Sequence, residues 1–296
     1  MQTDLARQRF VLARALSAHR RPIAIAALLA IAVTVSPPVA ARADTSAKRL
    51  RGQDVVNELR LGQAIVLDEV TISGALDLSG VRTVNSIFKC QSCTFLGPVA
   101  APDALFRRDV DMRDSRFVHG VNFSGAQFEG DAAFDDSAFL RGARFDSTAF
   151  GAADGFRDVR FSGNATFAST TFRRRADFSG TEFERDADFS DARLGGGATY
   201  LLAVFAGRGL FDRVSAGGDL DFTFGLFAGR ELSLHGATVG GTLSFENAEF
   251  SRTRYFDLGL IIPRARQHAG AARAGHCRLV AGGARSGAWL LPRRPA

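Results

Sequence analysis

The chain has 296 residues, 46% of them hydrophobic, 26 of them Phe, with 37 basic against 31 acidic residues for a formal balance of +6. Six basic residues and one acid fall in 1–43, and seven Arg and no acid fall in 264–296, which leaves 24 basic and 30 acidic residues, a balance of −6, for 44–263. The basic isoelectric point therefore belongs to the ends, and charge gives no reason to expect nucleic-acid binding by the body.

The first 43 residues read as a secretory signal. Arg7, Arg9, Arg14, Arg20 and Arg21 precede an apolar run from Ile23 to Val35, then come Pro37, Pro38 and the small-residue sequence Ala41-Arg42-Ala43. The 13-residue apolar run falls short of the roughly 20 that a spanning helix needs. The expectation is cleavage after Ala43, no transmembrane span in the mature chain, and a periplasmic or extracellular location; Arg20-Arg21 followed directly by Pro22 is a weak twin-arginine signal.

Residues 44–63 read as a linker and a capping helix. Asp54 is the expected N-cap, Val55, Val56 and Leu59 supply a short apolar face, and Gly62 is the expected stop. A solenoid needs such a cover, because the end of its core and an unpaired strand edge would otherwise meet water. The segment from Ala64 to Val70 then reads as the first strand, and Ile72-Ser73-Gly74-Ala75-Leu76-Asp77-Leu78 as an early coil.

From there a repeat dominates. Phe117, Phe123, Phe128, Phe134, Phe139, Phe145, Phe150, Phe156, Phe161, Phe167, Phe172, Phe178, Phe183 and Phe189 alternate in steps of six and five, so the unit is eleven positions long and carries two large apolar side chains. Phe106 and Met112 lead into this register, and Leu194, Tyr200, Phe205 and Phe211 carry it onward. Two residues before each Phe stands a small or short residue, such as Ala126, Ala143, Thr170, Ala176 or Ala187, with Asp154 as the exception. Positions two apart share one face of an extended strand, so each unit offers one narrow inward strip with a polar residue, such as Asp177 or Asp188, pointing outward between. A helix is rejected, since offsets of 0, 2, 5 and 7 at roughly 100° per residue form no stripe. The unit therefore reads as strands joined by corners and stacked as a solenoid.

Ala126-Gln127-Phe128-Glu129-Gly130, Ala176-Asp177-Phe178-Ser179-Gly180 and Ala187-Asp188-Phe189-Ser190-Asp191 resemble the motif of the pentapeptide-repeat family: small, polar, Leu or Phe, then two polar or small residues. That resemblance covers about 70–261 and implies an all-β fold, a right-handed four-sided parallel β-helix. Alternate six-residue units make the coil about 22 residues rather than 20, giving about nine coils over 64–262. Phe side chains one such coil apart, such as Phe123, Phe145 and Phe167, are then expected to stack in one column and Phe128, Phe150 and Phe172 in the next. After Pro263 the composition turns to Ala, Gly and Arg without apolar period, and 263–296 reads as a disordered or non-native tail.

Few residues invite chemistry. Cys90 and Cys93 form a Cys-x-x-Cys, with Cys277 in the tail; Cys93 precedes Phe95 by two and so reads first as a buried free thiol, while export permits a disulfide if a turn brings the two Cα atoms within about 7 Å. Zinc would need two more ligands, and no His is close in sequence. His19, His268 and His276 fall in the ends, whereas His119 and His235 stand alone and read as corner or surface residues. Arg173-Arg174-Arg175 and Gly195-Gly196-Gly197 fall at corners, the first as a balanced surface beside Asp177 and Glu182, the second not as a phosphate loop. Asp154 alone takes an inward slot, where Gly155 would permit a bulge. Catalytic, cofactor and metal residues are accordingly expected to be none.

The functional expectation is an exported, non-catalytic repeat protein acting as an interaction or structural scaffold for a protein or cell-envelope partner. Two alternatives stand beside it. The resemblance implies a DNA-mimicking protein that protects type II topoisomerases, which the negative body fits and the signal sequence opposes. The other is a polysaccharide-acting β-helix enzyme, whose clustered outer carboxylates and Arg or Lys the sequence does not single out.

Overall fold

In a computed structural model the described residues are 48–152, 154–259 and 279–280, with the backbone alone described for Asp154, Leu279 and Val280. The signal sequence, its cleavage site, His19, His268, His276 and Cys277 lie outside them. Within this body the chain is all-β apart from one helix. Its strands, mostly two residues long, form four parallel sheets, each taking every fourth strand in chain order. One coil thus visits four faces in turn. The first coil runs through Ile65–Asp68 on face 1, Thr71–Ser73 on face 2, Leu76–Asp77 on face 3 and Thr83–Val84 on face 4, before Phe88–Gln91 returns to face 1. Strand partners in the strict run keep one constant register from coil to coil, as in Phe117 opposite Phe139, Val121 opposite Ala143 and Phe128 opposite Phe150.

The Phe register builds the core as expected. All fourteen Phe residues of the strict run are at most 2% exposed. Phe123 stacks on Phe145 and Phe145 on Phe167, at 5.7 and 4.9 Å between ring centroids, and Phe128, Phe150 and Phe172 form the adjoining column at 5.1 and 4.8 Å. Rings of opposite faces meet edge to face across the core, as Phe156 of face 1 does with Phe167 of face 3 at 5.4 Å and 89°. Stacked and edge-to-face pairs both suit the aromatic quadrupole, so each ring gains contact beyond burial alone. The short residues two places earlier fill the gaps. Where they carry a hydroxyl, it donates to a carbonyl of the preceding coil: Thr148 Oγ1 to the Phe123 oxygen at 2.8 Å, and Ser137 Oγ to that of Met112 at 2.7 Å. A buried hydroxyl is tolerated there because the coil below accepts its proton.

The alternation of five and six comes from two kinds of corner. After faces 1 and 3 the chain closes a tight turn, as when Ala126 N–H donates to the Phe123 carbonyl at 2.9 Å, and the residue third in that turn has positive φ. This is type II geometry, which favours Gly or a short polar residue at that place. Gly125, Ser147, Asp158, Ser169 and Gly180 meet it at φ values from 55° to 71°. Leu202 at 60° and Phe224 at 56° do not, and both side chains are exposed. The outward carboxylates serve these turns: Asp177 Oδ1 accepts the Ser179 N–H at 3.0 Å and Asp188 Oδ1 that of Ser190 at 2.8 Å. Faces 2 and 4 end in wider six-residue corners.

Three details differ from the sequence expectations. The helix spans Gly52–Arg60, beginning two residues before Asp54, with Arg51 at the N-cap and no side chain capping it. Asp54 sits instead in the first turn, where its charge complements the helix dipole, while Gly62 ends the helix at φ 75° as expected. Arg49–Arg51, ahead of the helix, is a strand paired with Thr71–Ser73, so sheet pairing begins before the cap. In the tail, Leu279–Val280 pairs parallel with Leu243–Ser244 on face 1, a strand where composition predicts none, since a β-forming Leu-Val dipeptide meets an open ladder edge.

Candidate functional site

Cys90 and Cys93 are joined in a disulfide, with Cα atoms 5.6 Å apart and both residues buried. The free-thiol reading of Cys93 is thereby corrected: Ser92, at φ 51°, turns the backbone so that the two residues face one another. No group of three or more His, Cys, Asp or Glu side chains suited to a metal ion occurs among the described residues. No helix among them is long and apolar enough to cross a membrane.

The other flagged residues resolve as packing or surface. Arg173, Arg174 and Arg175 are exposed at one corner, and His119 is exposed at another. The Gly195-Gly196-Gly197 corner is packed by backbone, not opened for a phosphate. A Cβ on Gly197, which has φ 81°, would stand 2.1 Å from the Asp219 carbonyl oxygen, and one on Gly217 of the next coil would stand 2.3 Å from that of Gly195. Asp154 keeps the backbone register opposite Ala132, while its side chain lies outside the described residues.

Among the described residues, a cleft on face 1 and another on face 3 break the regular outer surface. On face 1, outward Ala133 and Gly155 leave a depression of about 400 Å³ ringed by Lys89, Asp111, Arg113, Asp135, Arg157 and Asp177. Asp109 and Asp131 line it too, so five carboxylates outnumber three cations, and both arginines are paired. Arg113 holds Asp111 at 2.8 Å, Gln91 Nε2 donates to the same carboxylate at 2.7 Å, and Arg157 lies 3.5 Å from Asp135 and 3.7 Å from Asp177. Burial alone would raise the Asp111 pKa, but the bonds from Arg113 and Gln91 outweigh it and hold the carboxyl below its ordinary range. Beside this cleft, Asp114, Asp136 and Asp158 occupy one corner of successive coils with φ of 56°, 59° and 55°. Burial first, then like charge from neighbouring carboxylates, pushes Asp136 above the usual carboxylate range.

The larger cleft, about 670 Å³, lies on face 3 and is lined by Asp212, Arg230, Glu231, Ser233, His235, Arg254, Tyr255 and Asp257. It forms where the coil lengthens. Gly209 pairs with Leu232 and Leu232 with Phe256, one and then two positions beyond the strict register, so the corners before Glu231–Ser233 and Tyr255–Asp257 carry extra backbone. The Arg230 carbonyl accepts both the Arg254 N–H at 2.9 Å and the Tyr255 N–H at 3.1 Å, which sets the two arginines in successive layers. Asp257 gathers the floor, accepting from the Tyr255 hydroxyl at 3.1 Å and the Gly259 N–H at 2.8 Å, with His235 Nδ1 at 3.2 Å. Ser233 Oγ donates to Asp212, which also accepts the His235 N–H at 3.2 Å. The bond to Asp257 raises the Tyr255 pKa.

His235 is therefore not the isolated residue that sequence suggests. Its partner Asp257 lies 22 residues further along the chain, and the two side chains meet although the local strand register pairs Asp257 with Ser233. Tyr255 and the two arginines carried no signal beyond the seven-residue step from Phe227 to Leu234, which marks where the repeat slips.

A four-sided parallel β-solenoid of about nine coils, with its apolar side chains inside and charged ladders outside, defines a repeat scaffold. Pentapeptide repeats match the chain in nine copies over residues 91–138 and 156–199, both stretches lying within the four-sided solenoid. No curated protein and no solved structure matches the chain.

Proposed function

We propose that the protein is an exported, non-catalytic scaffold that binds a protein or cell-envelope partner through its outer faces. The observation that carries this is the division of labour between the two sides of each strand. The inward side is filled by stacked rings, and the outward side repeats charge pairs between successive coils: Arg208 with Asp186 at 2.8 Å and Arg213 with Asp191 at 2.7 Å. Such exposed pairs add little stability, so their regular spacing serves a surface more than a fold. The Cys90–Cys93 disulfide agrees with an oxidising compartment, and the repeat fold is generally a structural and interaction fold.

Mass spectrometry of protein recovered from fractionated producing cells tests the export part. The mature chain is expected to begin at Asp44 and to lie outside the cytoplasm. A cytosolic pool with intact Met1 would overturn it and favour a topoisomerase-protecting DNA mimic, the second reading, which the stacked acidic corner of Asp114, Asp136 and Asp158 supports.

A further inference from the structure

We infer that the face 3 cleft binds an acidic sugar, one uronate residue of a polyanionic glycan, with its carboxylate on Arg230 and Arg254 and its ring on Tyr255. The inference deepens the scaffold reading and rests on its non-catalytic part, since the cleft is taken to hold the glycan without cleaving it. Three features lead to it.

The first is a pair of arginines with no internal partner, in a lining whose three carboxylates, Asp212, Glu231 and Asp257, are held by other groups. The carboxylates Asp212 and Asp257 are already engaged with Ser233, His235, Tyr255 and Gly259, and Glu231 lies 4.0 Å from Arg208. Among the described residues neither Arg230 nor Arg254 has an ion pair or side-chain hydrogen bond, and both are exposed at the cleft. The backbone bond from Arg254 to the Arg230 carbonyl sets the two residues in successive layers, and a guanidinium is a fork-shaped donor matched to a carboxylate. On face 1 the arginines are already paired, Arg113 with Asp111 and Arg157 with Asp135 and Asp177, which is why that cleft does not carry the same inference.

The second is the aromatic platform. Tyr255 is 54% exposed, yet its hydroxyl is fixed by Asp257, so the ring is held in place with its surface free. An oriented ring offers an apolar plate to the C–H face of a pyranose while its polar tip stays satisfied. A bare inorganic anion would leave that plate unused. The third is size and setting: about 670 Å³ falls within the roughly 300–1,000 Å³ of small-ligand sites. The cleft also lies where the coils depart from their strict register, and in solenoids such insertions commonly build the binding surface.

The test is calorimetric titration of the purified full chain with a short oligogalacturonate, with its methyl ester as the uncharged counterpart, and chain-length analysis of the sugar afterwards. The expected result is binding of the acid form, weakened by salt and lost on esterification. Arg230→Ala and Arg254→Ala should each weaken it about tenfold, Tyr255→Leu should weaken it with the salt dependence kept, and Arg174→Ala, at a remote corner, should leave it unchanged. Unchanged melting temperatures separate these effects from unfolding. Absence of binding, equal binding of the ester, or binding that survives both arginine changes would overturn the site and leave the scaffold reading standing. Shortening of the sugar would instead overturn the non-catalytic reading while the arginine dependence still marked the site.

Discussion

Replacing Tyr200 with Phe is expected to stabilise the protein. Tyr200 takes a Phe position of the repeat and is fully buried, stacked between Phe178 at 5.1 Å and Phe222 at 4.9 Å, with Phe189 and Phe211 edge-on at 5.4 and 5.3 Å. Its hydroxyl has no hydrogen-bond partner, and burial alone drives its pKa well above the usual phenol value. Leaving a buried hydroxyl unsatisfied costs about 1–3 kcal/mol, whereas Phe keeps every ring contact and opens no cavity larger than one oxygen. The expected gain is therefore about 1–2 kcal/mol, and each kcal/mol corresponds to roughly 2–4 °C in melting temperature for a body of this size. Chemical denaturation monitored by circular dichroism, with calorimetry for the melting temperature, reads it directly. A loss of stability in Tyr200→Phe would refute the reasoning, because it would mean that the hydroxyl is satisfied in solution.

Three further outcomes are expected. Phe167→Ala should cost about 3–5 kcal/mol by opening a cavity between Phe145 and Phe189, while outward Asp177→Ser should cost far less; denaturation midpoints that ranked them the other way would reverse the assignment of inside and outside. Asp136→Asn should stabilise at neutral pH. A folded pKa raised by burial and by Asp114 and Asp158 means that protonation favours the native state at low pH and that this contribution is lost as pH rises through the folded pKa. The advantage of Asn, which tolerates φ 59°, should thus fade on acidification through the carboxylate range, and a gain that grew in acid would contradict the assignment. Alkylation of the denatured, unreduced protein should leave Cys90 and Cys93 unmodified, and Cys93→Ala should cost about 2 kcal/mol for so short a closed loop; labelling of either thiol before reduction would restore the free-thiol reading.

The inside of this molecule was written in one dimension. A Phe at every fifth or sixth position with a short residue two places earlier is enough to predict which side chains face inward, that strands and not helices carry them, and that rings one coil apart stack, because strand alternation and corner spacing are local properties. Phe145 above Phe123 and below Phe167 follows from counting alone. The Asp-Phe-Ser sequences show the limit of such counting: Asp177 and Asp188 read as solvated, yet both hold turns closed, since an outward carboxylate looks alike in sequence whether or not the next corner turns back beneath it.

What lies across coils depends on lengths that accumulate. The helix start, the strand at Arg49–Arg51 and the Cys90–Cys93 bond each needed the actual path of the chain around an irregular first or second coil, where Ile65 meets Phe88 and Thr71 meets Thr94, one position beyond the strict register. The same holds at the other end. Arg230 lies beneath Arg254 only because inserted residues widened particular corners without disturbing the Phe columns, and the energy that keeps those columns in register is the burial of the rings. The core sets the coil tightly and leaves the outer corners free to vary, so the sequence determines the frame while the stacking of coils decides which surface residues become neighbours.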